Sequence, residues 1–112
     1  MQSIELFFLV QGSKDEPYEV NFLREDDNLT ATCTCTAGMI GTYCKHRTSI
    51  LLGDTSAIVG GDIDRFDEIE NLIPGTDVED ALVDIKELED EMKQLKKQLT
   101  MAKKYLAQTM ND

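Results

Sequence analysis

Three cysteines and one histidine fall in a single short stretch, Cys33-Thr-Cys35-Thr-Ala-Gly-Met-Ile-Gly-Thr-Tyr-Cys44-Lys-His46. They are every cysteine in the chain and its one histidine. The order is Cys-x-Cys, eight residues, Cys-x-His. In an extended chain, side chains two apart point to the same face, so Cys33 and Cys35 converge while the threonines between and beside them face away. Cys44 and His46 open a predicted helix, whose free backbone N–H groups favour thiolate sulfur. Gly38 and Gly41 lie in the intervening segment and let it fold back so that the two pairs meet. Three thiolates and one imidazole make a closed four-ligand set, the kind that structural zinc takes. A catalytic zinc would need an open position and a general base, and four soft ligands leave none.

Three other readings of the same residues stay open. Buried thiols without a metal are one, although threonine and glycine neighbours supply little apolar cover. A Cys44–His46 nucleophile pair is the second, and it leaves two cysteines and the missing orienting carboxylate unexplained. A redox-sensing thiol is the third.

The elements that must position these residues can be read on either side of them. Ile4 to Val10 is a short β-type run, and Gly12 to Pro17 a turn cluster. Tyr18 to Leu23 alternates, with Tyr18, Val20 and Phe22 on one face, which predicts a half-buried strand. After a polar turn at Glu25 to Asn28, the threonine-rich run Leu29 to Thr36 predicts a third strand. Thr36 to Thr42 is expected to be a loop, and Cys44 to Leu52 a short helix stopped by Gly53. Asp54 to Gly61 reads as a connector, with Gly60-Gly61 as a hinge. Ile63, Phe66, Ile69, Leu72 and Ile73 have helical spacing, which predicts an amphipathic helix over 62–73 that ends at Pro74-Gly75. Thr76-x-x-Glu79 has the form of a capping box, opening a helix that runs to about Met110.

The chain has 112 residues and a net charge of -11, with 22 acidic against 11 basic residues. Such a charge repels polyphosphate at long range and disfavours a large nucleic-acid surface. No apolar stretch approaches membrane-spanning length, so no membrane association is expected. Met1 to Val10 lacks a basic start and a small-residue cleavage site and is not expected to be a secretory signal. An odd count of clustered cysteines fits a reducing, intracellular location, cytoplasm or nucleus, better than a disulfide framework.

The Cys-x-Cys…Cys-x-His order, with Lys45 between the last two ligands, resembles the SWIM-type zinc finger over about Tyr18 to Gly53. The likeness takes in the alternating strands, Cys33-Thr-Cys35, the glycine-containing loop, and Cys44-Lys45-His46 leading into the apolar Ile50, Leu51 and Leu52. It implies a strand hairpin and a following helix around one zinc held by Cys33, Cys35, Cys44 and His46. It also implies a role in binding DNA or protein, as in chromatin-remodelling, transposase-related, recombination-accessory and ubiquitin-ligase-like proteins. Lys45 and Arg47 flank the ligands and are the candidate phosphate contacts.

Residues 78–109 fit a heptad. Val78, Ile85, Met92, Leu99 and Leu106 occupy the a positions, and Ala81, Leu88, Leu95, Ala102 and Thr109 the d positions. A helix of that length, about 50 Å at 1.5 Å per residue, outruns a domain of this size and points to a coiled coil. Residues 77–91 carry 8 acids and 1 base, and residues 92–112 carry 5 bases and 1 acid. The split matches a helix macrodipole. It also favours antiparallel pairing, because Asp84 would face Glu89 in a parallel pair.

The chain is therefore expected to be α+β: a small antiparallel sheet and short helix around one zinc (1–53), a connector with a short amphipathic helix (54–75), and a long coiled-coil helix (76–112). The expected role is a non-enzymatic interaction module with a protein partner. It would form a homodimer through Ile85, Leu88, Met92, Leu95, Leu99 and Leu106; the other readings of this helix are that it folds back against the helix at 62–73 or pairs with a different chain. The alternatives are a DNA-binding accessory factor that uses Lys45 and Arg47, and an acidic mimic of DNA.

Overall fold

The computed structural model describes residues 3–111; Met1, Gln2 and Asp112, at the ends of the expected segments, lie outside the described residues. The fold is α+β. Strand β1 (Ser3–Val10), β2 (Tyr18–Glu25) and β3 (Asn28–Cys33) are followed by helices α1 (Thr36–Met39) and α2 (Lys45–Leu51). Strand β4 (Ile58–Gly61), a 3-10 helix (Ile63–Asn71) and helix α3 (Glu79–Met110) complete the chain. Contacts divide it into two compact units, Met1–Asp80 and Ala81–Asp112.

In the first unit the four strands form one antiparallel sheet in the order β3-β2-β1-β4. Alternation decides which face is buried. Leu6, Phe8 and Val10 of β1 and Val20 and Phe22 of β2 point to one side and are buried. Register places Phe8 opposite Val20 and Leu6 opposite Phe22, and the Phe8 and Phe22 rings meet edge-on at 6.4 Å. Ile50 and Leu51 of α2, Ile69 of the 3-10 helix and Leu72 just past it are also buried. The β2–β3 hairpin closes on Asp26-Asp27, with Asp26 at a φ of 55°. That left-handed conformation is one aspartate tolerates.

Four local expectations differ from the structure. The segment after Cys35 is a single helical turn, α1, rather than a loop. Gly60-Gly61 is not a hinge but part of β4, paired with Leu9 and Phe8. The backbones pass so close that a Cβ on Gly61 would lie 2.4 Å from the Phe7 carbonyl oxygen, at a φ of +89°. A signal read as flexibility is thus a requirement for close approach. Residues 63–71 form a 3-10 helix with a kink at Arg65, and the expected apolar stripe is buried only at its far end. Exposure falls from 56% at Ile63 through 37% at Phe66 to 5% at Ile69. Finally, Thr76 does not form the capping box. Its Oγ1 donates to the Ile73 carbonyl at 2.6 Å, and Glu79 Oε1 accepts from the Gly75 N–H instead.

Helix α3 runs unbroken for 32 residues, of which those from Ala81 on belong to the second unit, and every side chain from Lys86 to Asn111 is exposed. No helix among the described residues is long and apolar enough to cross a membrane.

Candidate metal centre

Each of the four candidate ligands sits where an element starts or ends. Cys33 is the last residue of β3 and Cys35 the N-cap of α1. Cys44 is the N-cap of α2, in extended conformation, and His46 is the second residue of that helix. Their ligand atoms all lie within 4.8 Å of one another. Cys35 Sγ is 3.3 Å from Cys44 Sγ, and His46 Nδ1 is 3.6 Å from Cys44 Sγ and 3.8 Å from Cys33 Sγ. All three cysteines are free and buried. A tetrahedral metal with arms of about 2.3 Å to sulfur and about 2.1 Å to nitrogen needs its ligand atoms roughly 3.5–3.8 Å apart. The cluster meets that spacing to within about an ångström, so these residues fit a metal ion.

The surrounding backbone is arranged for negative sulfur. The Cys35 N–H points at Cys33 Sγ at 3.5 Å, and the Gly38 N–H donates to Cys35 Sγ at 3.3 Å. The second of these bonds exists because α1 forms. Cys35 caps the turn, and Gly38 fits against β3 where a Cβ would lie 2.4 Å from the Cys33 carbonyl oxygen. Burial pushes the Cys33 thiol up to about 12, against the pull of the Cys35 N–H, and the neighbouring Cys35 and Cys44 add to the rise. At Cys44 burial also raises the pKa. There the Arg47 backbone N–H and the side chains of Cys35, His46 and Cys33 outweigh it, and the thiol falls to about 6. Cys33 and Cys44 are thus pushed in opposite directions. A metal cation at this cluster would favour the thiolate form of its sulfur ligands.

The imidazole is oriented by what it touches. Nδ1 faces the sulfurs, and Nε2 faces Gly12, where an added Cβ would come within 3.4 Å. The Tyr18 ring packs on His46 with centroids 5.0 Å apart. Tyr18 was legible as a member of the inward face of β2, but its contact with the histidine was not. Beside His46 a cavity of about 470 Å³ opens between the β1–β2 turn and α2, with Gly12, Lys45, Ser49 and Asp54 among its lining residues.

The two candidate phosphate contacts part company. Lys45 is exposed. The Arg47 guanidinium is committed to the fold, donating to the Ala31 carbonyl at 3.0 Å and to the Thr42 carbonyl at 2.7 Å. It thus ties α2 to the edge of β3 and to the loop before Cys44. A cation within three residues of a cysteine looks the same in sequence whichever it does. The six candidate oligomerisation residues lie away from this centre in sequence, along α3. Leu88, Met92, Leu95, Leu99 and Leu106 are all more than half exposed, and Ile85 is half-buried.

Comparison of the chain with family models, with curated proteins and with solved structures found no match.

Proposed function

We propose that this chain is a zinc-stabilised, non-enzymatic interaction module that associates with itself through α3. The observation that carries the reading is the convergence of three thiol sulfurs and one imidazole nitrogen within 4.8 Å. Soft sulfur with one nitrogen in a four-ligand set is the chemistry of structural zinc. When bound, the ion cross-links the end of β3, α1 and the start of α2, and so supplies folding energy to a small core. The ligand order supports likeness to SWIM-type fingers, whose inferred role is to present a surface to protein or DNA. Four protein ligands leave no coordination site for a reacting water.

Protein rather than nucleic acid is the favoured partner. Net charge is -11, and of the two cations beside the ligands Arg47 is held by backbone carbonyls whereas Lys45 is exposed, with no hydrogen bond to backbone among the described residues. The nucleic-acid alternative predicts affinity for labelled DNA that falls with salt; absence of binding at low salt leaves the protein reading.

The metal claim is tested by elemental analysis. One zinc per chain is expected, lost in Cys35→Ser together with cooperative unfolding of the first unit. Protein that purifies without stoichiometric zinc, and whose folding is indifferent to Cys35→Ser, would falsify the proposal.

A further inference from the structure

We infer that α3 pairs antiparallel with α3 of a second copy, in the one register that sets Met92 against the partner's Leu95. This rests on the self-association reading above and specifies its geometry. From Lys86 onward no side chain of α3 is covered, and Leu88 and Leu95 are 62% and 63% exposed. A helix carrying such an apolar stripe is marginal alone and is stabilised by burying it.

Charge identifies the occupant. The acidic start of α3, Glu79 and Asp80, suits the positive end of the helix dipole, but the last turn holds no basic residue. The dipole acts only within the terminal turns. It therefore leaves Lys93, Lys96, Lys97, Lys103 and Lys104 without an explanation. A second copy laid antiparallel explains them, because each basic half then lies along an acidic half. Such a pair is self-complementary, as a two-fold contact between identical chains requires.

The flanking positions select the register. With Met92 against the partner's Leu95, the core layers also join Ile85 to the partner's Ala102 and Leu99 to the partner's Leu88. Leu106 meets the partner's Ala81. Glu89 then lies beside the partner's Lys96, twice by symmetry, and no like charges meet at the flanks. An antiparallel pair shifted by one heptad sets Lys96 against the partner's Lys96. A parallel pair sets Asp84 against the partner's Glu89. In the chosen register Glu79 is level with the partner's Gln108, so the two helices start about 43 Å apart. The two chains enter the pair from opposite ends.

Sedimentation equilibrium of the full, metal-loaded chain at tens of micromolar is the test, with Glu89→Lys and Glu89→Lys/Lys96→Glu beside the parent. The parent is expected to be a dimer. Glu89→Lys turns two attractions into two repulsions and is expected to raise the dissociation constant about tenfold, and the double variant to restore it. In a parallel pair Glu89→Lys would instead relieve the clash with Asp84 and tighten the dimer. Tightening, or no change, overturns the antiparallel register while leaving self-association standing. A trimer or larger assembly overturns the pairing. A monomeric parent overturns the self-association reading itself.

Discussion

Gly38 shows how narrowly single residues hold the centre. Its N–H reaches Cys35 Sγ only because it lies flat against the backbone of β3. Gly38→Ala puts a Cβ into the Cys33 carbonyl, and backbone cannot step aside as a side chain tip can. A destabilisation of about 1–3 kcal/mol is expected, the range for overpacking, together with weaker metal retention. Denaturant unfolding and competition with a chromophoric chelator measure the two. Arg47 makes a different kind of contribution. Arg47→Met removes two charge-assisted bonds, leaving the part-buried Ala31 carbonyl without its partner and the exposed Thr42 carbonyl to water, at a cost of about 1–2 kcal/mol. If Arg47 were a nucleic-acid contact instead, the substitution would leave stability unchanged.

At the scale of elements, each end of the sheet is closed by a specific device. The β3 edge donates its Leu29 N–H to Asp77 Oδ1 and offers its Ala31 carbonyl to Arg47, so side chains cover part of its open edge. At the other edge β4 is held by Gly61 and by Asp62, whose N–H donates to the Phe7 carbonyl while its carboxylate accepts from the Phe7 N–H. Gly61→Ala is expected to detach β4. The readout is faster hydrogen exchange at Leu9 and Gly60, with β2–β3 protection retained. The 3-10 helix carries a bidentate Arg65–Glu68 pair. The side-chain bond from Arg65, helped by its charge, holds the Glu68 carboxyl below its ordinary 4.5. A lowered carboxyl stabilises the fold above that ordinary value and loses the effect as pH falls through its folded one. Glu68→Gln should therefore weaken the protein slightly near neutrality and leave it unchanged in strong acid; thermal melts at two pH values check the sign.

For the whole molecule, two units with different sources of stability should unfold by different rules. The first, Met1–Asp80, has a buried core and the candidate metal ligands; the second, Ala81–Asp112, is a helix with almost nothing buried. Removing the metal by chelation is expected to lower the melting temperature of the first unit. Acid does the same, because protons compete for thiolate and imidazole. The helical signal should instead track protein concentration, since an exposed helix is stabilised by mass action with a partner. Circular dichroism across chelator and dilution series separates the two. A single transition indifferent to both would contradict this division.

Much of this was legible along the chain, for a physical reason. Alternation in β1 and β2, the Cys-x-Cys and Cys-x-His pairs, and the heptad of α3 are local periodicities, and local geometry alone decides which side chains share a face. Those patterns were enough for the α+β class, the four clustered residues and the long helix. What the sequence left undecided depended on contacts between distant segments. Gly60-Gly61 has the same letters as a hinge or as a strand pressed against Phe7, and only its pairing with β1 decides. Residues 63–71 have a helical period, but they pack against both α2 and β1 as a kinked 3-10 helix buried at one end. Arg47 reads as a free cation until the Ala31 and Thr42 carbonyls come within reach. The four metal-ligand candidates were set by spacing. That they meet, in a pocket of inward-pointing N–H groups, was decided by the turn of α1 against β3.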